Sequence, residues 1–373
     1  MRSHGNFTLI VFSDVNFSPQ LFAILQELHN QGNPFRVILI GDPDVTIAQQ
    51  IEEQEWNSRV IPKRGKFGSA LYLLVLGSEI IRNRPNILFA SGQFATALSM
   101  LVGKILIVQK RIFIRHHSNF HHKYKMRLGI LVDKISNHSS TQIIAVSEVV
   151  KEILISSEAV KPEKVRLIYN GVDLGNFRST PTVLKEDLTP NTTKHPLFHI
   201  GVVSRLTELK GVEYTATAFV RLQKEFPNSR LHIVGAFTDS YSRVKKILST
   251  VSENAYTLEE INSNIPQFMH ELDAFVHVPI GKEDEAFGIV YIEALASGIP
   301  CIFTKSGVIN ELESPDSYAH IVAFRNSDEI YAQLKKMIQG INVSKIAVPE
   351  SWLNQFSLDV MTKGYVELLL GEV

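Results

Sequence analysis

Two carboxylates, Glu285 and Glu293, stand eight positions apart in the stretch from Glu283 to Pro300, which reads EDEAFGIVYIEALASGIP. Phe287-Gly288 forms a turn after the first, and the apolar run Ile289-Val290-Tyr291-Ile292 leads a helix that carries the second. If the helix already begins near Glu285, eight steps around it leave the two side chains about 80° apart, so both look towards one mouth. A helix start also offers backbone N–H groups without intrahelical acceptors, and with the macrodipole these favour an anion such as a diphosphate. Gly298-Ile299-Pro300 then stops the helix and turns the chain into the apolar strand Cys301-Ile302-Phe303.

A second group lies upstream, where Gly201 to Gly211 reads GVVSRLTELKG. The pattern predicts a strand ending at Ser204, a loop presenting Arg205 and Lys210, and a helix from Gly211. Two cations at the carboxyl end of a strand, beside a helix start, make a diphosphate clamp. A third group, RHHSNFHH from Arg115 to His122, follows the strand Arg111–Ile114. Neutral imidazoles are common metal ligands, but adjacent histidines seldom converge on one ion and no cysteine accompanies them, so no metal is expected. His121 and His122, with Lys123, Lys125 and Arg127, form either a basic surface towards an acceptor or membrane, or a solvated face.

The elements that must position these groups follow from length and periodicity. A chain of 373 residues, 45% hydrophobic and 20% charged, is long enough for two globular domains and carries no compositional sign of disorder. Its net charge is zero, yet residues 1–175 hold 20 Lys and Arg against 14 Asp and Glu, and the remainder 18 against 24. The basic first half suits phosphate-bearing or membrane-surface partners. The single cysteine, Cys301, falls in an apolar strand and reads as core in a reducing compartment. Neither a signal-peptide core at the amino terminus nor a run of about twenty apolar residues is present, which points to a cytoplasmic protein, peripheral at most on the inner face of a membrane.

Short apolar, β-branched runs (Thr8–Phe12, Arg36–Ile40, Asn86–Ala90, Arg111–Arg115, Gln142–Val146, Val165–Tyr169) alternate with helical stretches. Near-continuous apolar strands between helices argue for a parallel sheet covered on both faces, a Rossmann-like α/β domain over 1–175. The Ser/Thr/Pro/Asn-rich segment 176–196 is the expected linker, and a second alternating series makes another Rossmann-like domain over 197–349. Residues 350–373 carry apolar side chains at helical spacing and are expected to form a closing helix.

The stretch EAFGIVYIEALASGIPCI resembles the E-x7-E motif of the retaining nucleotide-sugar glycosyltransferases of family 4 (group 1), and Arg205 and Lys210 occur at the spacing that family uses. IYNGVD, from Ile168 to Asp173, is similar to its NGVD turn. The resemblance implies the GT-B fold, two Rossmann-like domains facing across a cleft with a carboxy-terminal helix returning to the first. It places Glu285 at the donor sugar and Glu293 on the ribose hydroxyls. Arg205, Lys210 and the N–H groups near Phe287 and Gly288 would hold the diphosphate, and Gly235 would let the nucleoside lie against the sheet. Tyr256 or Leu258 would touch the base, with a core role as the alternative for both. One of His116 and His117 would face the sugar; His117 is favoured, although spacing alone does not choose.

No cofactor is implied beyond the donor, a nucleoside-diphosphate sugar, with UDP taken as the commonest donor nucleotide. The implied reaction is transfer with retention, by front-face attack with the leaving phosphate as base. The acceptor would be a glycan or lipid-linked glycan of surface polysaccharide biosynthesis, and no nucleic-acid partner is expected. Two departures concern other contacts. The loop Ser13 to Pro19 lacks the glycine pair many members carry, and Pro279-Ile280-Gly281-Lys282 replaces a frequent Pro-Ser pair. The alternatives are a nucleotide-sugar epimerase of the same fold and a non-catalytic binding partner.

Overall fold

The computed structural model describes residues 7–13, 18–41, 46–62, 65–118, 120–178, 197–341 and 347–371. The expected linker from residue 179 onwards, and residues 14–17 of the glycine-poor loop, lie outside the described residues. The chain divides into two compact units, Met1–Gly171 with Leu358–Val373, and Val172–Ser357.

The first unit is built from β1 (Thr8–Ser13), α1 (Pro19–Asn30), β2 (Phe35–Gly41), α2 (Thr46–Glu53), β3 (Ser58–Pro62), α3 (Gly65–Asn83) and β4 (Ile87–Ser91). These are followed by α4 (Gln93–Ile105), β5 (Lys110–Arg115), α5 (Phe120–Lys123), α6 (Arg127–Ser139), β6 (Gln142–Ala145), α7 (Glu148–Glu152) and β7 (Val165–Leu167). Among the described residues its strands form one sheet in the order β3-β2-β1-β4-β5-β6-β7, and every pairing is parallel. β1 and β4 are buried along their whole length, which is why their sequences are apolar rather than alternating. The order reverses between β1 and β4, so right-handed crossovers put α1 and α2 on one face and α3, α4 and α6 on the other.

The second unit contains α8 (Leu174–Arg178), β8 (Phe198–Val203), α9 (Val212–Glu225), β9 (Ser229–Val234), α10 (Tyr241–Leu248), β10 (Tyr256–Glu259) and α11 (Ile265–His270). It continues with β11 (Ala274–His277), α12 (Ile289–Ser297), β12 (Cys301–Phe303), β13 (His320–Ile321), α13 (Ser327–Ile338) and α14 (Glu350–Asn354). Its described strands form a second parallel sheet, β10-β9-β8-β11-β12-β13, reversing between β8 and β11. Ile200, Val202, Leu231, Ile233, Val276 and Ile302 meet the apolar faces of α9, α10 and α13 in its core. Tyr256 and Leu258 are partly buried against this core. Cys301 is buried in β12, and burial pushes its thiol far above the ordinary range.

The carboxy-terminal segment is not one helix. It breaks at 355–357 into α14, in the second unit, and α15 (Leu358–Leu370), in the first. Trp352 and Phe356 stack edge-on at 4.6 Å beside this break, whereas α15 packs on α1 and sets Tyr365 against Phe89 of β4 at 6.0 Å. Gly171 of the NGVD turn sits under the start of α15. A Cβ there would lie 2.7 Å from the Leu358 Cα, so the turn tolerates no side chain.

Candidate active site

In open parallel sheets, ligands bind beyond the carboxyl ends of the strands where the strand order reverses. In the second unit that point lies between β8 and β11, and the loops leaving these two strands carry Arg205 and Lys210 on one side and Glu285 on the other. Lys210 closes a 3₁₀ turn, Glu208–Lys210, and Gly211 follows in the left-handed region (φ 65°) as the cap of α9. A Cβ on Gly211 would come 2.1 Å from the Val278 carbonyl oxygen, so only glycine lets this turn lie against the end of β11. Ile280 N donates to Leu209 O at 3.0 Å and fastens the two loops together.

The result is an ion pair between residues 75 positions apart. Lys210 Nζ lies 2.5 Å from Glu285 Oε2, and His277 Nε2 lies 2.9 Å from the same oxygen. Burial by itself would raise the Glu285 carboxyl, but the Lys210 ammonium and the His277 ring outweigh it and hold it down at about 2. His277 ends β11, is buried, and packs edge-on against Tyr291 of α12 at 4.7 Å. Burial lowers its pKa against the pull of Glu285. Because an ionised carboxylate only accepts, the neutral ring donates from Nε2, leaving the buried Nδ1 as an unpartnered acceptor.

Two further groups hold Glu285 from behind. Ser306 Oγ accepts from Glu285 N at 3.1 Å and donates to Gly281 O at 2.8 Å. A Cβ on Gly307 (φ 57°) would fall 2.5 Å from the Phe287 carbonyl oxygen and 2.8 Å from Glu285 Cγ. Sequence reasoning missed His277, Ser306 and Gly307. The legible signal was position: each lies at or just past the end of an apolar strand, on the edge that carries Arg205 and Lys210.

The helix begins later than its periodicity suggested. α12 starts at Ile289 with Gly288 (φ 84°) as its cap, so Glu285 belongs to the preceding loop and the angular argument joining it to Glu293 does not apply. The two carboxylates accordingly have different surroundings. Glu293, half-buried on α12, has no described side-chain partner, and burial pushes its carboxyl up to about 7. Phe287 turns its side chain into the core against Phe356 at 5.7 Å, so any anion contact there is through backbone. Arg205 is exposed and pairs with no described carboxylate. Gly235 (φ 145°) lets the end of β9 approach β8, a Cβ there lying 2.1 Å from Ser204 O.

In the first unit the two neighbouring histidines part company. His116 is exposed, with Nε2 2.9 Å from Ser91 Oγ at the end of β4. His117 turns inward and brings Nε2 to 3.2 Å from Asp133 Oδ1, on α6. His121 Nδ1 approaches Asp133 Oδ2 at 2.6 Å, and the buried Arg115 guanidinium lies 3.2 Å from Oδ1 and also pairs with Glu158. Burial raises the Asp133 carboxyl, but these partners, led by the His117 hydrogen bond and Arg115, bring it below the ordinary range. His117 in turn is lowered by burial, against the pull of Asp133. His117, His121 and Asp133 place one possible metal-ligand atom each within 4.8 Å of one another. Asp133 Oδ1 faces both His117 Nε2 and the Arg115 guanidinium, and Oδ2 faces His121 Nδ1, whose Nε2 lies 2.6 Å from Gln93 Nε2.

Two parallel Rossmann-like sheets, with a charged carboxylate at the reversal point of the second, define a GT-B protein. The sequence model of Glycosyl transferases group 1 matches residues 186–345, and that of Glycosyltransferase Family 4 matches residues 20–176. The chain belongs to the group 1, family 4 glycosyltransferases. It is similar to the capsular polysaccharide biosynthesis glycosyltransferase CapM of Staphylococcus aureus, 26% identical over 58% of this chain and 57% of the relative. It also resembles the UDP-Gal:alpha-D-GlcNAc-diphosphoundecaprenol alpha-1,3-galactosyltransferase of Escherichia coli, 25% identical over 55% of this chain and 58% of the relative. The chain spans about half the length of the curated relatives it matches. In fold it is similar to Anabaena HepE in complex with UDP and glucose, with a TM-score of 0.78 and 19% identity over 97% of this chain and 99% of the other.

Proposed function

We propose that the protein transfers a sugar, with retention, from a UDP-linked donor to a glycan or lipid-linked glycan acceptor in surface polysaccharide assembly, working peripherally on the inner face of a membrane. The observation that carries this reading is the fixed carboxylate of Glu285, clamped between Lys210 and His277 at the reversal point of the second sheet, with Glu293, which has no described side-chain partner, on the α12 that follows. HepE, of the same fold, is described with UDP and glucose, and relatives are named for capsular polysaccharide and for transfer to a diphosphoundecaprenol-linked sugar.

Arg205, Lys210 and the first N–H groups of α12 would receive the diphosphate and stabilise the charge that grows on it as the glycosidic bond breaks. Glu293 would accept from the ribose hydroxyls. Glu285, ionised throughout the working pH range, cannot serve as an acid; it would orient the sugar and support its developing positive charge. The groups proposed for the donor lie in the second unit, and His117, proposed to face the sugar, lies in the first, its ring orientation fixed by Asp133. The attacking hydroxyl would pass its proton to the leaving phosphate, on the face the phosphate leaves.

A thermal-shift screen of UDP, ADP and GDP tests the donor nucleotide, since a ligand that binds the native state raises its stability. Incubation of the matching nucleotide sugars with lipid-linked acceptors, followed by proton NMR of the anomeric centre, tests the rest. An inverted centre overturns retention, and conversion of the donor to an epimeric sugar without acceptor overturns transfer in favour of epimerisation.

A further inference from the structure

Helix α6 is amphipathic in the unusual sense. It buries Gly129, Asp133, Ser136, Asn137 and Ser139, because its inner face serves the Asp133 network and the close approach of His121, whose ring would lie 2.5 Å from a Cβ on Gly129. Its outer face carries Leu128 and Leu131, which are 75% and 53% exposed, between the exposed Arg127 and Lys134. The neighbouring helices repeat the pattern. α4 exposes Leu101, Lys104 and Ile105, and Ile107 just beyond it is 86% exposed. α3 exposes Leu71, Leu74 and Ile81 at helical spacing.

α4 packs against both α3 and α6, so these stripes share one layer. Of the sixteen large apolar side chains exposed among the described residues, eleven lie between residues 71 and 131. Scattered exposed apolar residues need no explanation, but a contiguous field of them marks an interaction surface. The charge of the same segment identifies the partner. Residues 80–132 contain nine Lys and Arg and no Asp or Glu; six of the nine, Arg82, Arg84, Lys104, Lys123, Lys125 and Arg127, are exposed, and the flanking acids Glu79 and Asp133 are buried. A second copy of this chain docking face to face would set these cations against themselves. None of the described helices is long and apolar enough to cross a membrane.

We propose that the α3–α4–α6 face is the surface by which this protein docks on an anionic lipid bilayer. Ile105, Leu128 and Leu131 enter the headgroup–acyl boundary, and Lys104, Lys125, Arg127 and Lys134 meet the lipid phosphates. This deepens the peripheral placement stated above by naming the surface, and its only dependence on that reading is the lipid-linked acceptor that makes docking useful. The helix that turns Asp133 inward to hold His117 turns Leu128 and Leu131 outward, so one element ties the docking face to the candidate site.

The test is co-sedimentation of the full chain with vesicles of phosphatidylglycerol and phosphatidylcholine in equal parts, against vesicles of phosphatidylcholine alone. Wild type should pellet with the anionic vesicles and be released by salt. Lys125→Ala with Arg127→Ala should weaken partitioning roughly 25-fold, each cation near an anionic surface being worth about fivefold. Leu128→Ser with Leu131→Ser should weaken it while keeping the salt dependence. These exposed positions leave the fold intact, and unchanged circular dichroism and an unchanged nucleotide-induced thermal shift check this. Wild type remaining in the supernatant, or both double variants binding as wild type, overturns the proposal. So does a dimer in the absence of lipid that the leucine variants dissolve. A wild type that pellets but shows no nucleotide shift refutes the donor reading and leaves the docking face standing.

Discussion

Removing the Lys210 ammonium should cost both stability and turnover, by amounts that the geometry sets. Glu285 is buried, and its carboxyl stands at about 2 instead of the ordinary 4.5, a difference that corresponds to about 3 kcal/mol of folding free energy. A carboxyl depressed in the native state stabilises above its unfolded pKa. This contribution is therefore complete above about pH 4.5 and lost as the pH falls towards 2. Lys210 is the main group opposing burial, and without it Glu285 keeps only a neutral His277. Lys210→Ala should then lose about 2–3 kcal/mol at pH 7, because an uncompensated buried charge remains. Glu285→Gln added to that variant should restore part of the loss, giving a coupling of about 2 kcal/mol in a double-mutant cycle. Urea unfolding followed by circular dichroism measures the four proteins. Turnover of Lys210→Ala should fall on the order of a hundredfold to a thousandfold, the usual cost of losing a group that stabilises transition-state charge. Strictly additive stabilities, or near-wild-type transfer, would refute the proposed electrostatic clamp.

Glu293 gives the opposite pH sign. With its carboxyl pushed up to about 7, native stability is greatest below about pH 4.5 and declines as the pH rises through 7. Glu293→Gln should thus be more stable than wild type at pH 8, by up to about 3 kcal/mol, yet bind UDP more weakly. Wild-type UDP affinity should rise from pH 6 to pH 8 as the acceptor carboxylate ionises, and a flat titration by calorimetry would remove Glu293 from the ribose. Gly288→Ala places a Cβ 2.4 Å from the Tyr291 ring and 2.9 Å from Glu285 Cγ at a φ of 84°, so it should displace Glu285 and lower kcat more than nucleotide affinity. His117→Ala should reduce kcat by at least tenfold and His116→Ala by much less, since His117, unlike His116, is held by Asp133. The reverse order in steady-state transfer assays would assign the sugar contact to His116.

The amino-acid order by itself determined the two parallel sheets, because strands buried on both faces must be almost wholly apolar and the helices between them must repeat every three to four residues. It also marked Arg205 and Lys210 as cations past a strand end, and Glu285 and Glu293 by their eight-residue spacing and the family motif. What it could not contain was adjacency across the sheet. Lys210 meets Glu285 only because β8 and β11 are neighbours at the reversal of strand order, and His277, the last residue of an apolar strand, becomes a partner only once Glu285 folds back over it. The start of α12 was misjudged because a left-handed glycine at 288, rather than the apolar period, decides where the helix begins. The break between α14 and α15 was hidden in the same way, since helical spacing continues through residues 355–357 although the flanking helices pack on different units. Tertiary structure alone decided that α6 would bury Asp133 and expose Leu128 and Leu131. A buried carboxylate is tolerable only where Arg115, His117 and His121 meet it, and those partners arrive from the end of β5 and from α5.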